Sequence, residues 1–522
     1  MRGKLALALC LITGLCALSN AAMAQDTRVS VTDTLTTEYR INNKNGNDQD
    51  DDFGVMINRF NLSGNAGDIS TQLRLDTVYF GEELGVPAPP EGLTFKDNAR
   101  LERLTVTYDL GDWTLVAGDY FLQLGRGIAL SIRKVDEAGL DVAIRGGRVS
   151  WSGDEHEFMV FAGQTNTVNI DLLSQVFIEE TNDLITGANY EYTGLDIANV
   201  GTFLMYFRPT QTLLPGLRDE TVANGLYVNM PDLTDWLSLY VELGSQRQKL
   251  AGAVSTGRGV GDTILANGFG HYTAANIDFY PLTFLVEGIW LDDYNIRGSQ
   301  NTALGSRFIY NLAPTLERFD QEVLQNNDVR GARVRAEYAV EEPDLVFHVN
   351  GLYRLNNVGD AEELQQVHVF GGFDINYGAS RLGISGGIRD EQQTEGVFTK
   401  TIDHFEWDWL QVLGESEYSL HINGNVWLRT LDEAEFTQGS SFFGIDKAGL
   451  GGFTFEFGYD TQDPSPGVRN LFFAGILAWE ISDEFTTRIT GGTQRGGIKC
   501  ISGVCREFPA FAGGRMELIG RF

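Results

Sequence analysis

Hydrophobic and polar residues alternate with a period of two along most of this chain. Ile69, Thr71, Leu73, Leu75, Thr77 and Tyr79 alternate with Ser70, Gln72, Arg74 and Asp76. Leu104, Val106 and Tyr108 alternate with Arg103, Thr105, Thr107 and Asp109, and Ala332, Val334, Ala336 and Tyr338 with Arg333, Arg335 and Glu337. The same pattern runs through Tyr418 to Leu428 and through Phe453 to Tyr459. Period two with one polar face predicts β-strands. A soluble sandwich would show it too, with the charged face turned to water. The connections separate the two cases. Short turns (110–112, 152–154, 342–344, 378–380, 482–484) alternate with long polar loops (81–99, 164–185, 247–266, 294–330). Short turns at one end and long loops at the other predict a single transmembrane antiparallel β-barrel. It must close on itself, because an open edge does not survive in hydrocarbon.

About 23 stretches read as strands, and a barrel with both termini at one rim needs an even number. Phe436 to Ile445 reads as an extra strand, giving 24, whereas merging weak segments between 186 and 229 gives 22. The expected range is 18 to 26 strands, best placed at 22 to 24. Composition agrees: Gly supplies 61 of 522 residues, above the usual ~7%. The aromatic content of 11% and the hydrophobic content of 43% exclude a disordered acidic polymer.

The N-terminus reads as a secretory signal over residues 1–24. Arg2 and Lys4 form its positive region, Leu5 to Leu18 its apolar core, and Ala22-Met23-Ala24 its cleavage site. The apolar stretch is shorter than the ~20 residues of a spanning helix. Removing it leaves 37 Lys and Arg against 71 Asp and Glu, a net charge of −34, on a barrel over 25–522. No plug domain fits before the first strand, expected near Arg28. Two cysteines remain, Cys500 and Cys505, and export makes a disulfide between them the expected state, with a metal site as the alternative. The last strand is expected over Phe508 to Phe522, with Arg515, Glu517 and Arg521 on one face and Met516, Leu518 and Gly520 on the other. An amphipathic final strand ending in Phe522 resembles the C-terminal signature of bacterial outer-membrane barrels.

The densest chemistry lies between Gly118 and Arg148. Counting from the N-terminus makes residues 123–138 the third long loop, which in porins folds inward and narrows the lumen. If so, Arg126, Arg133 and Lys134 face Asp136 and Glu137 at a constriction. Asp141 belongs to the same constriction set, and Arg145 and Arg148 lie on the adjacent wall, bent at Gly146-Gly147. The competing expectation is that these charges only pair with one another inside a packed barrel. Gly125-Arg126-Gly127 is not a phosphate loop, since no G-K-[ST] follows.

This segment, together with Gly496 to Cys500 and Cys505 to Phe511, resembles an uncharacterised, porin-like family of bacterial outer-membrane barrels. The overall shape is similar to the alginate-export porins. The specific resemblance covers about a tenth of the chain. It implies a fold, an outer-membrane location, and contact with outer-membrane lipids, lipopolysaccharide and the barrel-assembly machinery. Alginate exporters line their channel with cationic groups for a polyanion, from which a chain of net charge −34 departs.

Other constellations add little chemistry. Asp48, Asp50, Asp51 and Asp52 offer hard oxygen ligands of the kind Ca²⁺ takes, against the alternative of a solvated acidic loop. No other cofactor is implied. The six histidines are scattered singly, and no H-E-x-x-H or G-x-S-x-G occurs. His404 beside Asp403, and His421 on a polar face, are the candidates for a barrel-embedded lipid-modifying enzyme, and no enzyme is expected. A pI near 4.5 excludes a nucleic-acid partner. The expected function is passive passage of small hydrophilic solutes with a bias toward cations. The alternative is a non-conducting barrel that holds an export, assembly or surface partner.

Overall fold

A computed structural model describes residues 27–44, 52–81, 98–135, 140–167, 181–210, 220–251, 263–301, 306–311, 313–314, 316–317, 328–358, 363–393, 399–414, 417–432, 434–463, 467–501, 504–508 and 510–522. The proposed signal therefore lies outside the described residues. The chain forms a closed antiparallel barrel of 24 strands, with no helix among the described residues.

The first twelve strands are β1 (Thr27–Arg40), β2 (Phe53–Ala66), β3 (Ile69–Gly81), β4 (Asn98–Asp109), β5 (Trp113–Tyr120), β6 (Leu140–Ser152), β7 (His156–Thr167), β8 (Leu184–Leu195), β9 (Ala198–Arg208), β10 (Glu220–Thr234), β11 (Leu237–Ala251) and β12 (Thr263–Phe279). The second twelve are β13 (Leu282–Asp292), β14 (Val329–Val340), β15 (Asp344–Asn356), β16 (Leu364–Tyr377), β17 (Ser380–Gln393), β18 (Thr399–Leu413), β19 (Tyr418–Leu431), β20 (Ala434–Lys447), β21 (Gly451–Asp460), β22 (Leu471–Glu480), β23 (Phe485–Gln494) and β24 (Phe511–Arg521).

Each strand pairs with its neighbours in sequence. The seam closes between β1 and β24, from Thr32↔Arg521 to Arg40↔Gly513. Phe522 completes it: its backbone exchanges hydrogen bonds with Val31 at 2.7 and 2.8 Å, and its ring meets Phe485 edge-on at 5.4 Å. The hinted strand near 436–445 is real and full length, as β20, and it brings the count to 24. The segment from 186 to 229 keeps its strands separate as β8, β9 and β10. The last strand starts at Phe511 rather than Phe508, because Gly497–Ile501 and Val504–Phe508 pair as a hairpin of their own.

The two faces of the wall invert the polarity of a soluble protein. Leu204, Val349 and Ile388 point outward with 57–58% of their surface exposed. Arg333, Arg354 and Arg389 point inward and are fully buried. Apolar side chains facing out around a polar interior are what a lipid environment selects. Aromatic rings gather at the short-turn rim: Trp113 lies 6.3 Å from Trp151, Trp236 stacks on Phe279 at 4.9 Å, and Trp409 donates to the Tyr377 hydroxyl at 2.6 Å. Amphipathic rings belong at such a boundary between hydrocarbon and water.

Candidate functional site

A wall of 24 strands is too wide for side chains to fill. Strands about 4.8 Å apart and tilted about 40° would close to a diameter of roughly 48 Å. What narrows the lumen among the described residues is loop chain folded inward, supplied by two connections.

The third long connection, residues 121–139, leaves β5 and returns into β6. The β4–β5 ladder stops at Thr105↔Gly118. Gly118 has φ +104°, and a Cβ there would overlap the Leu104 carbonyl, so only glycine fits where β5 parts from β4, two residues before the chain leaves the wall at Tyr120. Asp119 holds the departure, accepting from the Leu104 N–H (2.8 Å), Asn166 Nδ2 (2.8 Å) and Arg145 Nε (3.1 Å). Beyond it Leu122–Leu124 pairs with Leu130–Ile132 as a small hairpin inside the barrel. Leu122, Leu124, Ile128, Leu130 and Ile132 are buried in one cluster with Phe203, Phe207, Tyr227 and Tyr240 of β9 to β11. At the apex the Arg126 N–H donates to Glu242 on β11 at 2.7 Å, and its guanidinium lies 4.9 Å from the Tyr240 ring. The Tyr240 hydroxyl donates to the same carboxylate at 2.7 Å.

The seventh long connection, residues 293–328, folds in from the other side. Tyr294 lies across Gly244 and Gly270, which face each other on β11 and β12, and a Cβ at either would collide with its ring. The Ser131 N–H donates to the Tyr310 carbonyl at 2.7 Å, joining the two loops. Asp183 accepts from the N–H groups of Ser299 and Thr210 (2.9 Å each) and from the Tyr310 hydroxyl (3.0 Å). Burial, reinforced by the Asp183 carboxylate, pushes the Tyr310 hydroxyl well above its ordinary range and keeps it a donor. Further on, Glu317 reaches β16: His368 Nδ1 lies at 2.9 Å and Gln366 Nε2 at 2.8 Å. His368 Nε2 is in turn 3.0 Å from His404 Nε2 on β18. Together the loops are anchored along the inner wall from β5 to β17, where Arg389 lies 3.9 Å from Glu317.

The sequence-derived candidates fall into distinct places. Asp141 accepts from Arg74 Nη1 (2.9 Å) and Arg103 Nη2 (3.0 Å), clamping the start of β6 to β3 and β4. Arg145 pairs with Asp119. Arg148 lies 5.7 Å from the Tyr120 ring. Arg133 and Lys134 are exposed on the loop's return limb, and Asp136 and Glu137 lie outside the described residues. Gly146 faces Gly118 and Gly163 on the neighbouring strands, and a Cβ there would overlap the Ala162 carbonyl, whereas Gly147 is open. Cys500 stands opposite Cys505 in the register of its hairpin. Asp52 is exposed, and Asp48, Asp50 and Asp51 lie outside the described residues.

His404 points inward while Asp403 points out and is exposed, so the two neighbours do not meet. His421 Nε2 is 2.6 Å from Asp408, which also accepts from Arg381 at 2.9 Å. Among the described residues no group of three or more His, Cys, Asp or Glu side chains could hold a metal ion. Reading the sequence missed the seventh loop's inward fold and the contact of His368 with His404. The available signal was apolar content, with Tyr294, Ile296, Tyr310 and Leu316 in a segment that otherwise reads as polar.

No protein-family model matches the chain. No curated protein matches it in sequence. Among solved structures it is similar to the siderophore receptor PirA from Pseudomonas aeruginosa, with 10% identity, a TM-score of 0.48, and 95% of this chain and 80% of that one covered. It is similar to the P pilus usher (PapC) translocation pore, with 10% identity, a TM-score of 0.43, and 95% and 99% covered. A third is OccK5 (OpdH) from Pseudomonas aeruginosa, with 10% identity, a TM-score of 0.39, and 78% and 98% covered. None of these three is an alginate-export porin, and none carries a substrate over to this chain.

Proposed function

We propose that this chain is an outer-membrane channel for passive passage of small hydrophilic solutes. One observation carries the reading: a closed wall, apolar outside and polar inside, is narrowed by loops folded into its lumen rather than filled by side chains. A polar lumen wider than its own side chains suits water and solutes. The charges of the third loop fit a supporting role. Asp141 and Arg145 anchor the loop to the wall, and Arg126 anchors its apex. Outer-membrane lipids, lipopolysaccharide and the barrel-assembly machinery are the partners this location implies.

The excess of acid over base biases the mouth toward cations. Protein purified in detergent and inserted into planar bilayers should give unitary conductance steps. Its reversal potential in a KCl gradient should favour K⁺ at low salt and approach neutrality at about 1 M, where the Debye length falls to about 3 Å. Absence of unitary steps from correctly folded protein would exclude the channel and leave the partner-holding barrel.

A further inference from the structure

A cavity of about 620 Å³ lies between the inner faces of β1 to β4 and the root of the third loop. Strand register builds its wall in two parallel rows. One runs Ser30↔Ser63↔Gln72↔Thr105 and the next Thr32↔Asn61↔Arg74↔Arg103. The first row presents only hydroxyls and an amide. In the second, Arg74 and Arg103 are both engaged by Asp141. Asp119, also in the lining, is held by Arg145.

Arg148 stands apart from these pairs. It lines the cavity beside Tyr120, has no carboxylate partner among the described residues, and its buried Nε makes no hydrogen bond. A guanidinium kept in a polar cavity without an anion retains donors that a ligand can satisfy.

We propose that this cavity binds a small hydroxylated carboxylate, with its carboxylate on Arg148 and its hydroxyls on the Ser63–Gln72–Thr105 row. The volume suits a solute of a few carbons to a single ring. Charge selects carboxylate over phosphate. Asp141 engages Arg74 and Arg103 and lies in the field of Lys134, so Arg148 is the lining cation with no carboxylate beside it among the described residues and suits one negative charge, while a phosphate of charge near −2 would also meet Asp119 and Asp141. The proposal takes from the channel reading only that solutes reach the lumen.

The test is calorimetric titration of gluconate into the full chain in detergent, with glucitol as its uncharged analogue. Gluconate should bind saturably and glucitol far more weakly. Arg148→Gln should weaken gluconate at least about tenfold, the loss of one charge-assisted hydrogen bond. Arg148→Lys should retain part of the affinity, since the charge stays and the fork is lost. Gln72→Leu should weaken gluconate but not acetate, which has no hydroxyls to place. Heat-modifiable migration on gels establishes that each variant is folded. Unchanged affinity in folded Arg148→Gln, no saturable binding to folded wild type, or displacement of gluconate by equimolar inorganic phosphate would each overturn the site. Conductance is measured separately: binding without conductance removes the channel and keeps the site, and conductance without binding does the reverse.

Discussion

Asp141 shows what a single lumen residue does in this barrel. Its carboxylate is 5% exposed and accepts from two guanidiniums on adjacent strands, Arg74 and Arg103, where the third loop returns to the wall. Taking it away leaves Arg74 still held bidentately by Asp76, but leaves the inward Arg103 with Glu102 at 3.6 Å in place of a close carboxylate. Removing one member of a buried pair costs about 3–5 kcal/mol, because the surviving charge stays desolvated. Asp141→Ala should therefore lower the unfolding free energy by that order in urea titrations from lipid vesicles. Asp112→Ala, in the exposed turn between β4 and β5, should change it by less than about 0.5 kcal/mol. The alternation in β3 already turned Arg74 and Asp76 inward. Their link to Asp141 was not legible, because it joins residues 67 apart through a register that only the closed sheet defines. For the same reason the charges from 126 to 148 could be seen as a cluster without their partners being assignable.

The third loop is the element whose position in the sequence was most informative. Its rank among the long connections follows from counting turns, and its inward course begins at a glycine. Attention to its charges obscured the feature that fixes it there, the four apolar side chains that alternate through Leu122–Leu124 and Leu130–Ile132, with Ile128 between them. An apolar hairpin inside a polar lumen is stable only against a partner surface, and Phe203, Phe207 and Tyr240 supply one. Replacing residues 123–131 with a short Gly-Ser linker should raise unitary conductance severalfold. Leu124→Asp with Leu130→Asp should produce flickering between the two levels, as the hairpin detaches. The C-terminal hairpin allows a separate check. Directly opposite residues of an antiparallel pair bring their Cβ atoms to about 4.5–5.5 Å, near the span of a disulfide. Protein recovered from the membrane without reductant should yield a peptide linking Cys500 to Cys505 by mass spectrometry, and alkylation before digestion should label neither.

At the scale of the whole molecule, the strands from Thr27 to Arg521 describe one circumference, and the glycine and aromatic content fits that geometry. The same sheet must satisfy two solvents, and this makes the effect of a charge depend on parity along a strand rather than on burial. Val349 and Asn350 are consecutive residues near the middle of β15. Val349 is 58% exposed on the outer face, and Asn350 is 1% exposed, bonded to Arg333 Nε at 2.5 Å. In a water-soluble protein, Val349→Arg would be a mild surface change. If lipid surrounds the wall, it places a guanidinium near the hydrocarbon midplane at a cost of about 2–4 kcal/mol, falling to about 0–1 kcal/mol near the interface. Ile388→Arg on β17 and Leu204→Arg on β9 should cost the same order, since both sit mid-strand on the same outer face. Tyr377→Arg, at the short-turn rim, should cost far less. Folding free energies of the four variants in phosphatidylcholine vesicles measure this depth profile directly. A flat profile, with mid-strand and rim substitutions equally tolerated, would mean that the exposed apolar face does not meet lipid.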